Sequence, residues 1–230
     1  MGGLELDHRE LAAALGASYR RVTAALGSLD DLAYYEPTRA RGFAVGDLVV
    51  HVRLDAERAL VAFASPTDAL PDRDFASYWS DFDARAPVRP DGFAAVRWCR
   101  AMSSAYERPS RGLRAHWADV AAAAARAAAL SRPEGAVQTQ GHVLRVTDFV
   151  ATLALEACVH TLDLQRSVAV EPDPTAIAVS VATLDALAGV DVRALTGWDD
   201  VEYLLKGCGR TPVTAAESRA LGPLSLPLLG

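Results

Sequence analysis

The chain has 230 residues, of which 51% are hydrophobic and 23% charged, and its 23 Lys and Arg against 29 Asp and Glu give a formal net charge of −6. That length supports one sizeable core, and an acidic balance without a Lys/Arg cluster excludes the electrostatic footprint of a nucleic-acid binder. No run approaches the roughly 18 apolar residues of a membrane span, the opening Met1-Gly-Gly-Leu-Glu-Leu-Asp-His lacks a signal-peptide pattern, and Cys99, Cys158 and Cys208 are too few and too scattered for a disulfide framework, so the expected compartment is a reducing cytoplasm.

Leu11, Leu15, Tyr19, Val22 and Leu26 recur at three- and four-residue steps and predict a helix over residues 7–26, with Gly27 suited to its C-terminal cap. Residues 29–43 carry Pro37 and Gly42 and read as a connection. A second helix spans residues 45–64 and stops at Ser65-Pro66. Residues 66–90, rich in Asp, Pro and Ser, form an excursion with a short helix over 75–82. A third helical region starts near Gly92, breaks at Pro109-Ser-Arg-Gly112 and resumes over 113–130, where residues 120–130 are nearly all alanine. Alanine has the best helix propensity and the smallest side chain of the helix formers, so this helix can approach its neighbours closely.

After Ser131-Arg-Pro-Glu-Gly135, the β-branched residues around Gly141 read as a small hairpin over 137–146. Thr147 and Asp148 then serve as N-cap and first-turn acid of a helix running to about residue 168, before Glu171-Pro-Asp-Pro174. Residues 175–230 offer two or three shorter helices and a Pro/Leu-rich tail. The expected fold is all-α: an up-and-down four-helix bundle over residues 1–170 with a short helical C-terminal extension over 171–230.

The chemistry concentrates in two of these helices. Glu156 and His160 stand one turn apart inside the apolar run that begins at Thr147, and positions i and i+4 share a helix face. His51 sits in the second apolar helix. Two histidines and a glutamate make a three-ligand set with an open position, the composition of a catalytic zinc site. An i, i+4 Glu/His pair is equally a common surface pair, and a histidine in an apolar run is often a hydrogen-bonded core residue; spacing leaves these readings side by side. Asp163, one turn beyond His160, is either a partner that orients the imidazole or a solvated carboxylate. Asp47 and Asp55 flank His51 at four residues each way with the same ambiguity.

Cys158 lies roughly 200° around the helix from either ligand candidate and reads as a small core residue. Arg53 and Arg210 are either attractors for an anionic substrate or solvated surface groups. His8, His116 and His142 read as structural or solvent-facing. Glycine-rich phosphate loops and the Gly-x-Ser-x-Gly elbow are absent from the sequence.

Phe43-Ala-Val-Gly-Asp-Leu-Val-Val-His51 resembles the motif opening the second helix of the mycothiol-dependent maleylpyruvate isomerase-like family, within the DinB-like helical-bundle superfamily. Glu156-Ala-Cys-Val-His160 followed by Asp163 resembles that family's second motif, and Gly209-Arg-Thr-Pro-Val-Thr resembles endings of its actinobacterial members. The resemblance implies that His51, Glu156 and His160 bind a divalent metal, zinc by preference, and that mycothiol is the thiol cosubstrate. From their positions in the sequence, Asp163 and Asp55 are the candidate outer partners of the metal, and Arg53 and Arg210 the substrate-binding candidates.

Two departures shape the functional expectation. Phe43 stands where the family's signature opens with Trp, and the residues after Pro174 read as helices where the isomerase has an α/β domain. The expected enzyme is therefore a mycothiol S-transferase acting on an electrophilic small molecule. The alternatives are a cis–trans isomerase of the maleylpyruvate type and a non-catalytic metal- or ligand-binding bundle. No nucleic-acid or membrane partner is expected, and monomer and homodimer both remain open.

Overall fold

In the computed structural model, which describes residues 7–81 and 93–229, the first periodic segment forms α1 (His8–Leu26). Asp7 caps it by accepting the Glu10 amide, one of the orphan donors of a helix start. Leu11, Leu15, Tyr19, Val22 and Leu26 all turn inward, as their spacing predicts. α2 (Val45–Phe63) starts where the chain leaves extended Ala44, whose amide donates to the Asp47 carboxylate at 3.2 Å. α3 (Ala94–Ser104) is short and mostly exposed.

The break at Pro109 to Gly112 separates it from α4 (Gly112–Leu130). On α4 the Trp117 ring meets Tyr19 edge-on at 5.2 Å, and its indole N–H donates to Thr23 Oγ1 at 2.9 Å. Ala121, Ala124 and Ala128 are buried. Opposite them, a methyl placed on Gly16 would already stand 3.7 Å from the Ala125 methyl. The alanine run thus brings α4 close against α1.

α5 (Val146–Leu164) is the central element, buried along almost its whole length. α1 and α2 each pack on both α4 and α5, so the four 19-residue helices enclose one core. Burying Val150, Leu153, Leu155 and Leu162 on α5 contributes on the order of 1.5–3 kcal/mol each by area.

The molecule is predominantly helical, in broad agreement with the all-α expectation, and carries a small three-stranded antiparallel sheet. β1 (Pro66–Thr67), β2 (Ala136–Thr139) and β3 (His142–Arg145) lie in that order, with Pro66 opposite Val137 and Val137 opposite Leu144. The expected hairpin is β2–β3. Gln140 and Gly141 turn it with φ of 46° and 85°, the positive pair a tight two-residue hairpin requires. β1 has no sequence signal of its own, since two residues ending in a loop carry no alternation.

Because β3 feeds α5 with no loop between, α5 begins at Val146 with Arg145 at the cap position. Thr147 does not cap it; its hydroxyl donates to the Pro133 carbonyl at 3.3 Å. α5 also ends at Leu164, short of residue 168, in a tightened turn where the Ser167 and Val168 amides both donate to the Leu164 carbonyl. The short helix expected over 75–82 is a 3-10 turn at Ser77–Asp81; Phe82 and the expected start near Gly92 lie outside the described residues.

The C-terminal residues hold α6 (Pro174–Ala188), α7 (Val192–Thr196), α8 (Asp200–Gly207) and α9 (Ala215–Leu221), capped in turn by Asp173, Asp191, Asp199 and Thr214. α6 packs on α5 and α1, and α8 packs on α6 and α5. Leu184, Tyr203 and Leu204 are fully buried there, so these helices complete the core. Among the described residues no helix is long and apolar enough to cross a membrane.

Candidate metal centre

The two helices singled out by sequence pack against each other and present matching pairs. His51 and Asp55 stand one turn apart on α2; Glu156 and His160 stand one turn apart on α5. One ligand atom from each of the four residues lies within 4.8 Å of all the others. The His51 and His160 rings meet at 4.8 Å and nearly at right angles. His160 Nε2 lies 2.9 Å from Glu156 Oε2, and His51 Nε2 lies 3.6 Å from Asp55 Oδ2. Phe43 covers the His51 ring from outside, with centroids 5.6 Å apart. The His51 and Glu156 side chains each keep 29% of their surface accessible, so the cluster is reachable from solvent.

Each imidazole is controlled by what surrounds it. Burial and the nearby His160 charge hold His51 neutral, its pKa lowered to about 4 against the pull of Glu156. Burial pushes His160 the same way, but hydrogen bonds and charge from Asp163 and Glu156 overcome it and raise the pKa to about 9. Burial and the Glu156 charge push Asp55 up to about 7, against His160 and Arg58. Glu156 and Asp163 are both held below the ordinary carboxylate range; burial opposes this, and His160 outweighs it. Charge is therefore concentrated on the His160 side of the cluster, with little on the α2 side.

Behind His160 a chain of hydrogen bonds leads out of the cluster. His160 Nδ1 meets Asp163 Oδ2 at 3.0 Å, and Asp163 has no exposed surface. Arg210, in the turn after α8, donates to that carboxylate from Nε and Nη2 at 3.1 Å each, and from Nη1 to the Cys208 carbonyl at 2.6 Å. The backbone around Asp163 is fixed as well: the Arg39 amide donates to the Asp163 carbonyl at 3.0 Å, and the Arg39 guanidinium to that of Leu162. With Nδ1 held in this way, only Nε2 faces the cluster.

The structure brings His51, Glu156, His160, Asp55 and Asp163 together and leaves Arg53 apart. Arg53 lies two residues from His51 and points roughly 200° away around α2. It is buried beside Glu57 and His116, to which its Nη1 donates, while Nε and Nη2 have no partner. Arg210 does reach the site, but its guanidinium is committed to Asp163. Asp47 caps α2, accepts from Ser103 Oγ at 2.6 Å and from Arg100, and is not part of the cluster.

Cys158 is fully buried, its thiol pushed up to about 12 by burial. His8, His116 and His142 pair with the Ala128 carbonyl, Tyr106 and Asp72 respectively. Sequence reasoning missed Arg58, whose Nη1 donates to Asp55 Oδ1 at 2.8 Å. Its only signal was an i, i+3 spacing on an exposed helix face.

The fit of a metal ion to this cluster can be tested on the atoms. Asp55 Oδ2 is buried without any hydrogen-bond partner, a costly state for a carboxylate oxygen in the absence of a cation. Two imidazoles and two carboxylates are an N/O donor set suited to divalent first-row ions. A predominantly helical protein with a His/Asp/Glu cluster compatible with a metal is the class that fold and site define. The family model of the mycothiol maleylpyruvate isomerase N-terminal domain matches residues 9–165, and the chain belongs to that family. No curated protein and no solved structure shows a significant match to the chain.

Proposed function

We propose that this protein is a metal-dependent enzyme that uses mycothiol to attack an electrophilic small molecule, as a thiol S-transferase. His51, Glu156 and His160 hold the ion, zinc by preference, on a scaffold we read as the up-and-down four-helix bundle of the DinB-like superfamily. The observation that carries the proposal is the convergence of four ligand atoms from α2 and α5 within 4.8 Å, on a chain of a mycothiol family. A divalent ion held by His51, Glu156 and His160 would supply one piece of chemistry, lowering the pKa of a thiol from its free value near 8.5 so that it could react as thiolate.

The chain's own residues do the rest. Asp163 and Arg210 fix the His160 ring so that Nε2 faces the cluster, and the half-buried Phe43 ring packs against His51. The partial exposure of His51 and Glu156 leaves an approach for cosubstrates. The sulfur must come from outside, because burial pushes Cys99 up to about 11 and Cys158 and Cys208 up to about 12. The helical character of α6 to α9 supports S-transfer over the isomerisation named for the family, in which addition is followed by rotation and elimination. The test is turnover of metal-loaded protein with mycothiol and an activated electrophile. Loss of turnover in His51→Ala and His160→Ala, both still folded, is the expected result. Undiminished turnover in both variants contradicts the metal-thiolate reading. Stoichiometric ligand binding without turnover in the wild type identifies a sequestering protein instead.

A further inference from the structure

We propose that Asp55 is a fourth protein ligand of the metal, presented through Oδ2 and held in place by Arg58. The inference rests on the reading of His51, Glu156 and His160 as ligands and adds to it. Asp55 stands one turn beyond His51 on the face of α2 that meets α5, and its ligand atom lies within 4.8 Å of those of His51, Glu156 and His160. Its two oxygens have different surroundings. Oδ1 accepts from Arg58 Nη1 at 2.8 Å, at the edge of the site. Oδ2 is buried, accepts no hydrogen bond, and faces His51 Nε2 at 3.6 Å, too far for one.

An outer partner that merely orients an imidazole is joined to it by a hydrogen bond, as Asp163 is to His160 at 3.0 Å. Asp55 makes no such bond, so its buried oxygen has no orienting role to account for it. Arg58 restricts the carboxylate to a single donor atom and neutralises the other end, which keeps Oδ2 pointed at the cluster. With Asp55 and Glu156 both bound, two carboxylates balance the charge of a divalent ion and the two histidines stay neutral; the thiol would then enter as a fifth ligand, from the side where His51 and Glu156 are open to solvent.

The experiment uses cobalt(II) as the probe, with full-length wild type, Asp55→Asn, Asp55→Ala and His51→Ala, each checked for helicity by circular dichroism. Affinity comes from competition titration, and the visible d–d spectrum reports on the atoms bound to the ion. The wild type is expected to bind one ion. In Asp55→Ala the affinity should fall at least about tenfold, with a changed visible spectrum as the carboxylate is replaced by water. Asp55→Asn, which preserves shape, should show the same loss in a folded protein even if the alanine variant misfolds. An unchanged spectrum in folded Asp55 variants overturns the proposal, whether or not affinity falls, because a residue outside the coordination sphere can weaken binding without changing it. His51→Ala separates the two levels. If it keeps its ion, the underlying metal reading fails; if it loses the ion while the Asp55 variants keep the wild-type spectrum, only the role of Asp55 fails.

Discussion

His51 and His160 are chemically identical residues given opposite protonation by their surroundings. Burial beside another imidazole holds His51 near 4, while Asp163 and Glu156 lift His160 to about 9. A metal accepts only the neutral ring, so binding must displace the His160 proton below about pH 9, and the Asp55 proton as well below about pH 7. Affinity therefore rises with pH. The expected gain is roughly a hundredfold per pH unit below 7, tenfold between 7 and 9, and none above 9. Titrations across this range in buffers that do not bind metal check it, and an affinity flat from pH 6 to 8 contradicts it. At this scale the shared face of Glu156 and His160 was legible from their spacing, since i, i+4 fixes a face whatever the tertiary structure; that His51 would join them was an expectation from the family resemblance. The difference between Asp47 and Asp55 was not legible. Both flank His51 by four residues, and only packing against α3 and α5 makes one a cap and the other part of the cluster.

Among the elements, the extension after residue 165 matters most to the site. Arg210 lies outside the family match, at a turn where Gly209 takes φ of 70° and the Arg210 amide donates to the Leu205 carbonyl at 2.7 Å. From there the guanidinium reaches Asp163, 47 residues away in sequence. Arg210→Ala should lower metal affinity about 10–100-fold by freeing the carboxylate that orients His160. Arg210→Lys should recover only part of it, because an ammonium keeps the charge but loses the two-point grip. Equal affinities in all three proteins, measured by metal competition, would remove Arg210 from the site.

The same turn depends on α8 lying close to α6. A methyl on Gly207 would stand 2.5 Å from Leu184 Cδ1, and Leu184 is fully buried with nowhere to move. Gly207→Ala is expected to cost about 1–3 kcal/mol, read from denaturant unfolding. Helical periodicity revealed α1, α2 and α4 closely, because their apolar stripes are local facts. The join of β3 to α5 and the contact from Arg210 to Asp163 depend on non-local pairing, which no sequence window contains.

For the whole molecule, the centre joins α2 to α5, so an ion bound there holds two elements that otherwise meet only through side-chain packing. Ligand binding to the folded state alone stabilises it by about 2.7 kcal/mol at a free concentration of 100 times Kd. For a domain of this size that is a rise in Tm of roughly 5–10 °C. The rise should be absent in His51→Ala and reversed by a chelator. The most direct test of the account is the metal content of the purified protein after saturation with zinc and removal of the excess, compared between wild type and folded His160→Ala. The account predicts one ion per chain in the wild type and none in the variant. A wild type that retains no ion, or a variant that retains as much as the wild type, contradicts it.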